Sequence, residues 1–367
     1  MAATNLLALG VLVAFGAGAA GADEGAASAP TLPDVLKASG LSLGGYLDGT
    51  YSYESTSPAA DRSVDSNTFA LNQAAFTLGY TGPAGFGALV NVVAGTEACN
   101  GCYAPGYGAG GAGASTSSVN LLQGYLSYTS GKLAASAGKF LTLAGAEVAA
   151  PTGNTNVTRS LLFWYAEPVT HVGARLAYTT SHATMLTFGL NNGWNIDGST
   201  GRGGKTAEFG LMQQVSKAFS VAAAAYVGDY DMADGVGRRS LIDAMATWNA
   251  TPSLTLIASA DFDRQDHAFG PGTGTASWQG VALYCNYAIN DAWRSSVRAE
   301  SLDDRDGFNF GTRTRVDEAT LTLGYMPDAH VEFRAEGRQD RYRPAGAGAG
   351  AGSSSATQLW LQGLYKF

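Results

Sequence analysis

From Leu41 to Phe367 the chain is divided into strand-length segments whose connections alternate strictly between short turns and long polar loops. About sixteen such segments follow one another. The long connections are residues 54–66, 98–118, 141–170, 194–204, 231–239, 265–276, 304–313 and 342–355. Bacterial outer-membrane barrels have short periplasmic turns and longer extracellular loops, whereas a soluble two-sheet fold gives no reason for this alternation. The pattern therefore predicts an all-β, transmembrane, antiparallel up-and-down barrel of about 14 to 18 strands, with both termini on the periplasmic side.

The composition is compatible with a membrane protein that crosses with strands and not with helices. Although 46% of the residues are hydrophobic, no run of about 18 apolar residues follows the N-terminal region. Glycine, tyrosine and phenylalanine are abundant, with 49, 17 and 15 residues, which suits many short strands flanked by aromatic girdles. The sequence thus favours a barrel over a helical membrane protein.

The last segment of the chain has two faces of different polarity. Leu359, Leu361, Gly363, Tyr365 and Phe367 alternate with the more polar Gln358, Gln362 and Lys366. This alternation is expected when one face of a strand meets lipid and the other a wet lumen. The alternative is the edge strand of a soluble sandwich.

Several other strands carry charged residues on one face and apolar residues on the other, most clearly residues 329–341. An arginine or lysine at the bilayer midplane costs about 2 to 4 kcal/mol, so these side chains should point inward. A barrel of about sixteen strands is wide enough to enclose an aqueous channel. Alternatively, the charged side chains only pair with one another across the wall. The predicted lumen-lining residues are Asp261, Asp263, Arg294, Arg298, Glu300, Glu318, Glu332, Arg334, Glu336 and Arg338.

The N-terminal region precedes the barrel and has two predicted parts. Residues 1–22 resemble a secretory signal, with an apolar stretch from Leu6 to Phe15 and an A-x-A cleavage site at 20–22. Residues 23–40 form a periplasmic leader, in which one helical turn is expected, and residues 41–367 form the barrel. Cys99 and Cys102 could form a small disulfide in an oxidising compartment.

The long connection at residues 141–170 is too apolar to lie comfortably in water. It contains Leu161, Leu162, Phe163, Trp164 and Tyr165, which need a surface to pack against. The inner barrel wall offers that surface, and a loop folded inward would narrow the channel. Alternatively, these residues belong to an aromatic girdle beside a surface loop.

The same region carries a spaced motif. It comprises Gly138-Lys139-Phe140, Gly145, Glu147, Asn154, Asn156, Arg159, Ser160, Glu167-Pro168, His171, Gly173 and Arg175. In these residues the chain resembles the OmpL-like putative beta-barrel porins, and the resemblance extends loosely to Gly44-Gly45-Tyr46-Leu47-Asp48 and to the C-terminal Tyr365-Lys366-Phe367. It implies an outer-membrane barrel with porin activity. The candidate residues of the pore constriction are Glu147, Asn154, Asn156, Arg159, Glu167 and Arg175.

The expected function is passive diffusion of small hydrophilic solutes, without a cofactor or metal. The net charge of −8 and the lack of a basic cluster argue against nucleic acid as a partner. None of the four histidines lies in a nucleophile motif, so an enzyme is not expected. The expected location is the bacterial outer membrane, in contact with its lipid. A homotrimer is a candidate assembly. The alternative function is a closed barrel with a structural or surface-recognition role.

Overall fold

The computed structural model describes residues 31–55, 67–82, 84–98, 119–181, 183–196, 204–232, 235–269, 272–345 and 353–367. The predicted signal segment, residues 23–30 of the leader, Cys99, Cys102 and His182 lie outside the described residues. A helix α1 covers Leu32–Ser39, where one helical turn was predicted. The Thr31 amide donates a hydrogen bond of 3.0 Å to the Asp34 carboxylate at the N-terminus of α1, as in a capping box.

Within the described residues, sixteen strands follow α1, in agreement with the predicted number of about sixteen. They are β1 (Leu41–Glu54), β2 (Thr68–Thr81), β3 (Phe86–Ala94), β4 (Val119–Ser130), β5 (Leu133–Leu141), β6 (Thr170–Ser181), β7 (Thr184–Asn191), β8 (Thr206–Gln214), β9 (Phe219–Met232), β10 (Gly235–Thr251), β11 (Leu254–Gln265), β12 (Ala276–Ala288), β13 (Trp293–Asp304), β14 (Thr314–Tyr325), β15 (Val331–Pro344) and β16 (Ser354–Lys366). A short 3-10 helix at Pro151–Gly153 and helix α2 (Leu161–Tyr165) lie between β5 and β6. Neither α1 nor α2, the helices found in the described ranges, is long and apolar enough to cross a membrane.

Each strand pairs antiparallel with its neighbours in sequence, and β1 pairs with β16 to close the barrel. At the seam the backbones of Gly45 and Phe367 exchange two hydrogen bonds of 3.0 Å. A Cβ at position 45 would collide with the Phe367 ring, so glycine permits this close approach. Closure removes the exposed strand edges that a membrane would not tolerate. The predicted up-and-down barrel is therefore confirmed.

The two faces of the strands also follow the predicted alternation. On β15, Glu332, Arg334, Glu336 and Arg338 are buried inside, while Phe333 is 54% exposed on the outer surface. The outer surface carries many large apolar side chains and suits contact with lipid. Cys285 is likewise exposed.

One predicted loop is wrong. The sequence suggests a long loop at residues 231–239, but β9 continues to Met232 and β10 begins at Gly235. The pairing runs from Gly235 with Met232 down to Trp248 with Phe219. Backbone pairing between two long strands evidently outweighs the polar, glycine-containing composition that suggested a loop.

Candidate functional site

Loop 141–170 is held at both of its ends. Near β5, the Leu143 amide donates a hydrogen bond of 2.8 Å to the Tyr226 hydroxyl on β9. Near β6, the Asn195 side-chain oxygen accepts hydrogen bonds from the amides of Val169 (2.7 Å) and Thr170 (3.0 Å). These contacts fix the direction in which the loop leaves and rejoins the barrel wall.

Within the loop, Asn154 and Arg159 bind its own backbone. The Asn154 side chain accepts from the Val148 amide (2.9 Å) and donates to the Val148 carbonyl (2.7 Å). The Arg159 guanidinium donates to the carbonyls of Val148, Ala149 and Val157. Both predicted constriction residues are buried and define the shape of the loop.

The apolar part of the loop packs against inward-facing side chains of the wall. Ser160 is the N-cap of α2, and its hydroxyl accepts from the Phe163 amide at 3.0 Å. Leu161, Leu162 and Tyr165 are buried in one cluster with Trp278, Tyr284, Leu302, Val316 and Tyr342 from β12 to β15. Phe163 is buried in a second cluster with Tyr46 and Val169. The apolar segment is therefore covered by the wall and does not form an exposed girdle.

Glu336 on β15 fastens the polar part of the loop to the wall. One of its carboxylate oxygens accepts from the Val157 amide (2.6 Å), and the other from the Thr158 amide (2.9 Å) and hydroxyl (2.6 Å). Thr322 on β14 donates a further hydrogen bond of 2.6 Å to Glu336. Hydrogen bonds to an ionised carboxylate are stronger than neutral ones, so Glu336 is a principal anchor.

Arg298 on β13 is the second anchor and is completely buried. Its guanidinium lies 2.7 Å from Glu147 of the loop and 3.2 Å from both Glu300 and Glu318 of the wall. It also donates to the Thr158 carbonyl at 2.7 Å. A cation surrounded by three carboxylates and a loop carbonyl links the wall to the loop through charge-assisted hydrogen bonds.

The other predicted lumen residues on β13 and β15 also contact the loop backbone. Arg294 donates to the Thr155 carbonyl (2.8 Å), Arg338 to the Arg159 carbonyl (2.7 Å) and Arg334 to the Pro151 carbonyl (3.2 Å). Glu332 bridges Arg294 and Arg334. Through these contacts the predicted inward charges of this wall hold the loop.

Two predicted constriction residues differ in their surroundings. Asn156 of the loop lies against this charged wall, and its side-chain amide donates to the Thr322 hydroxyl at 2.7 Å. Arg175, by contrast, is on β6 and pairs with Glu208 of β8 at 2.5 Å. The Arg175 guanidinium also stacks 4.1 Å from the Phe140 ring centroid. The structure therefore does not bring Arg175 together with the anchors on β13 to β15.

Glu167 lies in a separate buried acidic cluster. A carboxylate oxygen of Glu167, one of Asp243 on β10 and one of Asp261 on β11 lie within 4.8 Å of one another. Burial raises the pKa of the Glu167 carboxyl well above its usual value, and the charges of Asp261 and Asp243 raise it further. Asp263, another predicted lumen residue, is also buried and lies two residues after Asp261 on β11. Sequence spacing gave no sign of this cluster because three distant segments supply it.

On its other side, the loop faces a gap toward β7 to β10. A cavity of about 110 Å³ lies there, and its wall residues include Met185, Gly210, Met212, Ala222 and Met245. Loop residues from Leu141 to Ala149 line the opposite side. Small and flexible apolar side chains thus face the loop on this wall, in contrast to the charged wall that holds it.

His171 and His330 are each held by contacts with neighbouring residues. His171 is buried, stacks on Tyr226 with ring centroids 4.9 Å apart, and has Nδ1 3.1 Å from the Gly193 carbonyl. His330 lies in the turn before β15, where its Nδ1 is 2.8 Å from the Lys366 carbonyl. These contacts account for their positions in structural terms.

The comparison of this sequence with known families decides its identity. The family described as putative beta-barrel porin-2, OmpL-like, matches residues 40–367. The chain belongs to this family. It is therefore an outer-membrane porin, a channel protein by family and fold, as the motif around loop 141–170 predicted.

Solved porin structures share the architecture at low sequence identity. The outer membrane channel DcaP of Acinetobacter baumannii is 13% identical, with a TM-score of 0.65 over 89% of this porin and 97% of that chain. OprB of Pseudomonas putida is 13% identical, with a TM-score of 0.63 over 91% and 96% of the two chains. The anion-selective porin from Comamonas acidovorans is 11% identical, with a TM-score of 0.59 over 89% and 99%. A comparison with curated protein sequences gave no significant match.

Proposed function

We propose that this porin conducts small hydrophilic solutes passively along the gap between loop 141–170 and the inner faces of β7 to β10. The observation that carries the proposal is the cavity of about 110 Å³ between these strands and the loop. Glu336, Arg298 and Arg338 bind it to the charged wall, and the cavity lies on its opposite side. A loop fixed in this way sets the width of the passage.

The gap has a lining that separates solutes mainly by size. Met185, Met212 and Met245 bring flexible thioether side chains to one side, and Glu147 is among the loop residues on the other. The Glu147 carboxylate is already paired with Arg298, which reduces its field in the passage. With a net charge of −8 for the chain, we expect only a weak preference for cations.

Conductance in a planar bilayer tests this proposal. Wild-type protein should give stable steps, and Met212→Trp should reduce the step size because the indole fills the gap. Val227→Trp places the same side chain on the exposed outer face of the adjacent strand and should leave the steps unchanged. Equal steps in all three proteins would mean that solutes take another route.

A closed barrel is the second candidate function. The observation that favours it is the filling of one side of the lumen by loop 141–170, whose residues are largely buried. Folded wild-type protein that gives no conductance steps would support this alternative and contradict the diffusion channel. A structural or surface-recognition role would then be the better account.

We also propose a homotrimer in the membrane. OmpT of Vibrio cholerae, 11% identical with a TM-score of 0.60, has been solved in a trimer form. The outer face of this porin has a groove lined by Tyr51, Phe69, Leu323, Phe333 and Leu361, which offers apolar surface for contact between copies. The mass of the detergent-solubilised protein, measured by light scattering, distinguishes a trimer from a monomer.

A further inference from the structure

Glu167, Asp243 and Asp261 form an acidic cluster. Three buried carboxylates without a positive charge nearby would destabilise the folded state. Asp243 and Asp261 are directly opposite each other on β10 and β11, and Glu167 approaches both from loop 141–170. All three side chains are at most 2% exposed. Like charges opposite each other destabilise a strand pair, and burial removes the water that would screen them.

The described residues provide no positive partner for this cluster. The ion pairs formed by arginines of the wall involve other carboxylates, and both oxygens of Asp261 lack a hydrogen-bond donor among the described residues. Asp263, next on the same face of β11, is 5% exposed, and both of its oxygens also lack a donor there. The Arg239 guanidinium acts electrostatically on Asp263 and also stacks on the rings of Trp194 and Trp278.

We propose that Glu167, Asp243 and Asp261 bind a divalent cation, Ca²⁺, that attaches loop 141–170 to β10 and β11. The spacing of up to 4.8 Å between carboxylate oxygens fits ligands on opposite sides of one ion, since Ca²⁺ binds oxygen at about 2.3 to 2.6 Å. The Ser259 hydroxyl lies beside Asp243 and adds a neutral oxygen. Asp263 adds a further buried carboxylate along the same strand face.

The ligand chemistry favours Ca²⁺ over other common cations. Carboxylate and hydroxyl oxygens are hard ligands that suit Ca²⁺ and Mg²⁺, whereas zinc and copper sites usually contain histidine or cysteine. Mg²⁺ requires a regular octahedron and retains several waters, which a fully buried, irregular cluster accommodates poorly. The ion would offset two of the three negative charges and oppose their mutual repulsion.

Gly145 adds a geometric reason why the loop can present Glu167 to this site. Its φ of +91° is a conformation that side-chain-bearing residues rarely adopt. A Cβ at position 145 would overlap the Glu167 carboxylate. The glycine therefore leaves the space that the carboxylate occupies next to the two aspartates.

Calorimetric titration of CaCl₂ into the refolded mature porin, free of lipopolysaccharide and stripped with EDTA, tests the proposal. We expect one Ca²⁺ per chain. Asp261→Asn should weaken binding by about tenfold or more. Glu167→Gln should weaken Ca²⁺ binding to a similar extent. Because Glu167 lies in the loop, this substitution changes no residue of the barrel strands. Asp266→Asn is the matched control, because Asp266 pairs with Arg264 in the turn after β11.

Thermal unfolding provides a second readout. Saturating Ca²⁺ should raise the unfolding midpoint of the wild type and of Asp266→Asn, and should not change that of Asp261→Asn or Glu167→Gln. Absence of Ca²⁺ binding by the wild type, or equal binding by all four proteins, would overturn the proposal. These experiments measure Ca²⁺ binding and not transport. A negative result would therefore not contradict the proposed diffusion channel.

Discussion

Glu336→Gln offers a sharp test of how loop 141–170 is held. The wild-type carboxylate accepts four hydrogen bonds, two of them from the amides of Val157 and Thr158 and the others from the hydroxyls of Thr158 and Thr322. A glutamine has nearly the same shape but replaces one acceptor oxygen with an NH₂ donor. At least one of the two buried amides then loses its acceptor, and the remaining bonds lose their charge.

The expected cost follows from these contacts. A buried N–H without an acceptor costs about 1 to 3 kcal/mol, and hydrogen bonds to charged groups contribute about 1.5 to 3 kcal/mol each. Because the four bonds share one side chain and are not additive, we expect a total loss of about 3 kcal/mol. At 1.4 kcal/mol per tenfold change, detachment of this part of the loop becomes about a hundredfold more frequent.

Hydrogen exchange with mass spectrometry measures this directly. In Glu336→Gln, exchange in a peptide covering residues 155–160 should accelerate by about a hundredfold, and the strands of the wall should keep their protection. Asp317→Asn is the control, because Asp317 on neighbouring β14 pairs with Arg315 and Arg343 in partly exposed ion pairs. Such a pair contributes about 0 to 1 kcal/mol.

Equal exchange rates of residues 155–160 in Glu336→Gln and Asp317→Asn would contradict the anchoring role of Glu336. That result would mean that the apolar cluster around α2 alone holds the loop. Channel recordings of the same variants give a supporting readout. A loop that detaches more often should produce larger and less steady conductance steps in Glu336→Gln.

Three further outcomes test other contacts. Arg298→Met should lower the free energy of unfolding by about 3 to 5 kcal/mol, because it removes the cation nearest to three buried carboxylates. Arg315→Met removes an exposed ion pair and should change the free energy of unfolding by less than about 1 kcal/mol. Equal losses of stability in the two variants would contradict a special role of Arg298. Gly145→Ala should lower the thermal unfolding midpoint because it displaces Glu167, and an unchanged midpoint would mean that the loop adapts. Leu321→Arg on the outer face should reduce folding stability in lipid vesicles by about 2 to 4 kcal/mol, whereas Leu321→Ala should have a much smaller effect.

Much of the barrel could be predicted from local sequence. The period of two along residues such as Phe333 and Arg334 determines which side chains face lipid and which face inward, without knowledge of any partner strand. The alternation of turn and loop lengths then determines the order of strands, because each hairpin joins neighbours. Residues 231–239 were the exception, since pairing in an extended hairpin depends on the partner strand as well as on composition.

The candidate site was only partly accessible to such reasoning. Glu147, Asn154 and Arg159 were recognised from the motif, but their contacts with Arg298 and with the loop carbonyls depend on how the loop crosses the lumen. Asp243 was missed, although it lies on the same inward face of β10 as Leu241 and Met245 and could have been found by the same period of two.

A closed barrel with two different faces follows from local sequence, because strand periodicity and connection lengths need no long-range information. The role of the inward charges depends instead on the position of the loop in the folded barrel. Glu336 and Arg298 could have lined open water, but the position of loop 141–170 makes them hydrogen-bond to its backbone. The meeting of Glu167 with Asp261 likewise depends on closure of the barrel, since segments almost a hundred residues apart become neighbours only when the wall surrounds the loop.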